Sequence, residues 1–253
     1  MCEAQMHQVA SFNTLTFNDR HLPDDYSVHV RDMQLFMKRV RKECGKVRFF
    51  ACGEYGDENK RPHYHVILFG VDFAEDRKFW RLGSNGDYNY RSATLERLWP
   101  YGFAETASLT PDNAGYAARY MVKKINGERA EQHYSRIHPH TGVVSQVHPE
   151  FITMSTSPGL GADFFRKYQS DCFPSDFLVL QGEKVSIPRY FFKLMAREEV
   201  SPSLRTPSEQ VKTKRVQDAL KRHLRAPEES SQERREVKEE SLILKAERLK
   251  RPL

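Results

Sequence analysis

The chain has no run of about 18 apolar residues, the length a membrane-spanning helix needs. Its first residues, MCEAQMHQVASFN, lack the basic start and apolar stretch of a secretory leader, so no signal peptide is expected. Cysteine is scarce. Cys2, Cys44, Cys52 and Cys172 form no C-x-x-C pair, which argues against a zinc knuckle. Without a leader, the four are expected as free thiols in a reducing compartment. Apolar residues are also few, at 39%, while charged residues reach 29%, so part of the chain is expected to stay outside a packed core. No internal repeat is present.

What the chain does have is charge, unevenly placed. The formal net charge is +6 over 253 residues. The stretch 201–253 holds 14 of the 40 basic and 9 of the 34 acidic residues, a balance of +5 there and +1 over the first 200. Two parts are therefore expected: a folded domain over 1–200 and a basic tail over 201–253. A basic tail suits a polyanion, because phosphate contacts release counterions, although a solvated surface has the same signature. Within the tail, Glu228–Leu249 has the composition of a charged helix, and the rest that of a segment that is disordered or orders on a partner.

Strands are expected at Ser11–Phe17, Lys46–Tyr55 and Tyr64–Phe69, the last two joined as a hairpin by the polar turn GDENKRP. A helix is expected from Val28 to Cys44, where Met33, Phe36, Met37 and Val40 recur at helical spacing before Gly45. The stretch Asp72–Gly102 reads as irregular, with a short helix near Thr94–Trp99. Thr110-Pro111-Asp112 opens a further helix, expected to run to Asn126 and stop at Gly127; residues 128–150 read as loop. Trp80 and Trp99 are expected in the core.

Two groups of residues carry chemistry. The first is His63-Tyr64-His65. Side chains alternate on a strand, so the two histidines share a face, with Cα atoms about 6–7 Å apart, and can share one metal ion. Tyr64 points to the other face. Glu54, at the end of the preceding strand, is expected beside them across the ladder, and a carboxylate there suits Mg²⁺ or Mn²⁺. The second group is the helix GYAARYMVKKI, residues 115–125. At 100° per residue, Tyr116, Tyr120, Arg119 and Lys123 share an arc of about 100°. Ala117, Ala118, Met121, Val122 and Ile125 occupy the opposite, inward arc. A free phenol ionises near pH 10, and neighbouring Arg and Lys favour the phenolate and bind a phosphate. Lys124 is a further phosphate contact, although a lysine near a helix end also complements the dipole.

Together these point to a phosphodiester attacked by tyrosine beside a divalent metal, with the 5′ phosphate kept on the enzyme so that the strand can be resealed. With them, FNTLTF (12–17), CGEYG (52–56), RPHYHVILFG (61–70), YAARYMVKK (116–124) and MSTSPGLGADFF (154–165) resemble the HUH endonuclease superfamily, and more narrowly the replication initiators of gokushovirus-like microviruses. The resemblance covers Ser11 to Met195. It implies an α+β fold with a central antiparallel sheet, helices packed on one face, the metal histidines on a central strand and the tyrosine helix beside them. It implies metal ligands at His63 and His65, nucleophiles at Tyr116 and Tyr120, and a nick at a single-stranded DNA origin in the cytoplasm of a bacterial host. The 3′-OH would pass to the host polymerase, with a helicase as a second partner. One departure is Tyr64, where the family usually carries a bulky aliphatic residue; facing away from the metal, it is expected not to matter.

Other readings are weaker. His138-Pro139-His140 repeats the H-x-H pattern, but a proline between the histidines favours a loop. Arg39, Arg41, Lys42, Lys46 and Arg48 cluster in sequence and offer contacts to a DNA backbone. HYHVILFG also resembles the H-x-H-x-H strand of histidine-triad hydrolases, but Ile67 stands where their nucleophile would be. A catalytically silent DNA-binding or packaging protein, and a relaxase or transposase of the same superfamily, remain as alternatives.

Overall fold

The computed structural model describes residues 1–56, 59–83, 86–123, 128–137, 142, 144–172, 177–180 and 182–197. The expected charged tail, the boundary at residue 200, His138-Pro139-His140 and the end expected for the tyrosine helix at 126–127 lie outside these residues. The chain divides into two compact units, Met1–Leu160 and Gly161–Leu253, so a division falls within the stretch expected as one domain.

The first unit is built on β1 (Ala10–Phe17), α1 (Val30–Cys44), β2 (Arg48–Tyr55), β3 (Pro62–Phe69), β4 (Lys78–Leu82), β5 (Tyr88–Arg91), α2 (Ala93–Leu98), β6 (Gly102–Ser108), α3 (Pro111–Lys123), α4 (Glu128–His133), β7 (Ser135–Ile137), β8 (Val144–Gln146) and β9 (Phe151–Met154). Seven strands form one sheet in the order β4-β5-β6-β1-β3-β2-β9, every pair antiparallel. The fold is α+β, with β3 held between β1 and β2. The second unit carries α5 (Ala162–Lys167), α6 (Gln169–Cys172), the hairpin β10 (Phe177–Leu180) and β11 (Glu183–Ser186), and α7 (Arg189–Arg197).

Strand alternation divides the sheet into two faces. Leu15, Phe17, Phe49, Ala51, Tyr64, Val66 and Leu68 point to one face and form the main core with Met33, Phe36, Met37 and Val40 of α1 and Leu95 and Leu98 of α2. The four predicted α1 residues are at most 1% exposed. Phe12, Cys52, Ile67 and Phe69 point to the other face, where Ala117 of α3 joins them. Helices therefore pack on both faces rather than one. The cause lies in the strands: β1, β2 and β3 carry apolar residues at both parities, so each face needs a cover.

Three local expectations change. Lys78–Arg91 is not irregular but a hairpin, and Gly86 takes a positive φ of 82° in its turn. Trp80 is 52% exposed, because β4 is an edge strand whose five residues are all exposed; only the Arg91 guanidinium covers its ring, at 5.0 Å. Trp99 is in the core, fully buried, as expected. Ala118 is exposed rather than inward; the buried side of α3 is centred on Asn113 and Ala117. The cysteines are free, as expected.

Glycine is required at the join of β6 to β1. A Cβ on Gly102 would land on the Thr16 carbonyl oxygen and the Asn18 amide.

Candidate functional site

The β2–β3 hairpin places Glu54 directly opposite His63, and Cys52 opposite His65. The three side chains converge as expected: one ligand atom from each of Glu54, His63 and His65 lies within 4.8 Å of the others. Glu54 Oε1 is 2.7 Å from His63 Nε2 and 3.0 Å from His65 Nε2. Glu54 and His65 are 2% and 5% exposed, so this carboxylate sits in a dry setting. Burial pushes the Glu54 carboxyl up, but the two histidine contacts and their charge outweigh it and hold it at about 2.

The outer ring nitrogens are also held. His63 Nδ1 lies 3.1 Å from the Arg61 carbonyl oxygen, and His65 Nδ1 lies 3.1 Å from Thr14 Oγ1. A carbonyl oxygen can only accept, so His63 Nδ1 carries a proton and, in the neutral ring, Nε2 presents a lone pair. That lone pair faces a carboxylate oxygen at 2.7 Å. Two acceptors at that distance repel unless a positive charge lies between them, either a second ring proton or a cation. Two imidazoles and a carboxylate, with an outer contact orienting each ring, have the donor chemistry of a divalent metal site. The Arg61 carbonyl is itself steadied, because the Arg61 guanidinium donates to the Phe17 carbonyl oxygen at 3.0 and 2.9 Å and to Asp19 at 2.8 Å.

Helix α3 runs beside this group on the same face. Thr110 caps it: its Oγ1 accepts from Asn113 N–H at 3.2 Å, while Asn113 Oδ1 accepts from Thr110 N–H at 2.8 Å. The Tyr116 ring stands edge to face against the His65 imidazole, centroids 5.3 Å apart. Tyr116 is half-buried at the margin of the α3 core face, not turned into it. Arg119, Tyr120 and Lys123 lie on α3, but their side chains lie outside the described residues, as does Lys124 entirely.

Sequence reasoning missed Thr14 and Tyr64. Thr14 lies on β1, opposite His65, and only the β1–β3 register reveals it. Tyr64 points away from the site, as expected, yet it matters. Its hydroxyl donates to Asp32 Oδ2 at 2.7 Å and accepts from His29 N–H at 2.9 Å, fastening the ligand strand to the start of α1. The cationic cluster expected to track DNA is largely engaged elsewhere. Arg39 donates to the Leu98 carbonyl oxygen, Arg41 lies over the Phe49 ring, and Arg48 pairs with Glu3.

Residues 10–125 match the model of the replication-associated protein ORF2 family. The chain is 32% identical over 200 residues to replication-associated protein VP4 of Bdellovibrio phage phiMH2K, covering 75% of this chain and 58% of the relative. It is 32% identical over 207 residues to replication-associated protein ORF4 of Chlamydia phage 1, covering 77% and 48%. It is 28% identical over 203 residues to replication-associated protein ORF2 of Spiroplasma virus 4, covering 74% and 58%. The chain thus spans about half the length of these relatives. No solved structure matches it. Among the described residues no helix is long and apolar enough to cross a membrane. The matched span contains the whole Glu54, His63 and His65 group and Tyr116, and on this shared sequence the chain belongs to the family of phage replication-associated proteins.

Proposed function

We propose that this protein initiates rolling-circle replication by nicking and rejoining single-stranded DNA at a phage origin, in the cytoplasm of the bacterial host. The observation that carries the reading is the Tyr116 ring set against His65, one of three side chains with metal-ligand chemistry. Glu54, His63 and His65 would hold Mg²⁺ or Mn²⁺. The two imidazoles favour Mn²⁺, since Mg²⁺ prefers an all-oxygen shell. Such an ion would polarise the scissile phosphodiester as a Lewis acid.

The chain's own residues do the rest. Thr14 and the Arg61 carbonyl hold the imidazoles in their orientation. Tyr116 or Tyr120 loses its phenolic proton to solvent and attacks phosphorus, forming an Oη–P bond. The P–O3′ bond breaks, and the departing oxygen takes up a proton to become the 3′-OH. The 5′ phosphate stays on tyrosine, and attack by a 3′-OH reverses the step and reseals the strand. Arg119, Lys123 and Lys124 bind the phosphate backbone. The second tyrosine, one helical turn away, permits a second cleavage while the first adduct persists. The freed 3′-OH serves the host polymerase, with a helicase opening the duplex ahead.

The test is an origin oligonucleotide incubated with Mn²⁺, followed by mass spectrometry of the covalent adduct. A 5′-phosphotyrosine at 116 or 120, lost in Tyr116→Phe with Tyr120→Phe, is expected. Cleavage that survives loss of both phenols overturns the mechanism, and absence of any metal-dependent cleavage favours a DNA-binding or packaging role.

A further inference from the structure

A second group of metal-ligand side chains lies in the first unit, where α1 begins on the far face of the sheet. One ligand atom from each of Asp25, His29 and His148 lies within 4.8 Å of the others. Asp25 Oδ1 is 3.1 Å from His29 Nε2, and the His29 and His148 rings meet edge to face with centroids 4.9 Å apart.

The backbones that carry two of these side chains are pinned by hydroxyls from the core. His148 N–H donates to Ser27 Oγ at 3.0 Å, and its carbonyl oxygen accepts from the Tyr55 hydroxyl at 2.6 Å. His29 N–H donates to the Tyr64 hydroxyl. Ser27 and Tyr64 are fully buried, and Tyr55 nearly so. The side chains themselves reach water: His29 is 32% and Asp25 42% exposed, and His148 is exposed. An Asp–His pair at i, i+4 is ordinary helix-end chemistry and explains two of the three. It does not explain His148, brought from the distant segment between β8 and β9 and held there at both its amide and its carbonyl.

We propose that Asp25, His29 and His148 form a second metal site that takes Zn²⁺ or a similar first-row ion, with water completing the shell. Two imidazoles, one carboxylate and an open side match the three-ligand zinc pattern, and rigidly held ligands lower the cost of ordering the site. The ion would tie the loop before α1 to the loop before β9. It would thereby hold the helix start on which Tyr64 fastens the strand carrying His63 and His65. None of the three residues takes part in the cleavage chemistry, so this site stands or falls independently of it.

The test is titration of the metal-free full chain with Co²⁺, read by visible absorption and by calorimetry, with Zn²⁺ displacing it. The wild type is expected to bind two equivalents. His148→Ala and Asp25→Asn should each remove the same one, with its absorption band, and leave the equivalent that His63→Ala removes. His148 is exposed, so its replacement spares the fold; Asp25→Asn is the nearly isosteric second probe. Stoichiometry and spectrum unchanged in both variants, or a single wild-type equivalent that only His63→Ala removes, would overturn the proposal.

Discussion

Replacing Tyr64 by phenylalanine isolates one oxygen atom whose effect can be worked out. The ring would stay packed against Phe17, Trp99 and Phe151, so little apolar contact is lost. Two hydrogen bonds disappear. One runs to the Asp32 carboxylate at 2.7 Å, a bond to a charged group worth roughly 1.5–3 kcal/mol. The other leaves the His29 amide without its hydroxyl at the mouth of α1, a further cost of about 1 kcal/mol or more. Asp32 is only half-buried and regains water, which offsets part of the first loss. Burial, followed by the charge of Asp32, pushes the phenol above its usual range, so it remains a donor at every working pH. A net loss of about 2–3 kcal/mol follows, a large share of the roughly 5–15 kcal/mol that holds a domain. Urea unfolding of the metal-free protein should show the midpoint fall by about 1 M with the slope unchanged. A double-mutant cycle with Asp32→Ala should give a coupling of about 1 kcal/mol or more. A loss below about 0.5 kcal/mol, or additive effects of the two substitutions, would refute the idea that Tyr64 anchors α1.

Glu54 gives a pH prediction for the metal-free protein. Its folded value of about 2 lies below the roughly 4.3 of an unfolded glutamate, so its stabilisation is present above about pH 4.3 and is lost as pH falls toward 2, about 3 kcal/mol in all. Urea melts at pH 5 and at pH 2.5 should therefore show Glu54→Gln clearly less stable than wild type at the first pH and nearly equal to it at the second; a pH-independent gap contradicts the assignment. Phe103 is 57% exposed and pairs with Thr16, which pairs with His63, placing it two strands, about 10 Å, from the histidine on the same face. A base stacked there is worth about 1–3 kcal/mol, so Phe103→Ala should raise KM for a short single-stranded substrate roughly 5- to 150-fold with kcat little changed, and an unchanged KM removes it from the DNA path.

The legible parts of the sequence were those governed by neighbours in the chain. Met33, Phe36, Met37 and Val40 show α1 because helical period and burial coincide. Glu54 could be matched to His63 because a hairpin's register is local. Thr14 could not be assigned, because its partner His65 lies 51 residues away and nothing in the sequence says that β1 inserts between β3 and β6. The β4–β5 hairpin was missed for another reason. Asn85-Gly86 is a good turn signal, but the strands around it lie at the sheet edge and lack the clean apolar alternation of a half-buried strand. Trp80 fails with it: a large aromatic is normally core, and only the edge position of β4 shows that nothing but a guanidinium covers this one.

The alternation of β3 ties the chemistry to the fold. Its odd residues, His63 and His65, face Glu54, while its even residues, Tyr64, Val66 and Leu68, fill the core beneath α1. A slip of one residue would bury both imidazoles and expose the apolar set, so the register that assembles the donors is the one that buries the core. The small residue opposite Tyr64 follows from the same packing. That position on β2 is Gly53, and a Cβ there would come within 2.6 Å of the Phe151 ring and 3.1 Å of the Tyr64 ring. Any side chain would therefore push on the tyrosine that holds α1, and through it on the strand one residue to either side, where the metal ligands sit. The glycine in CGEYG and the tyrosine in PHYH are best read as one structural pair, placed beside the site without belonging to it.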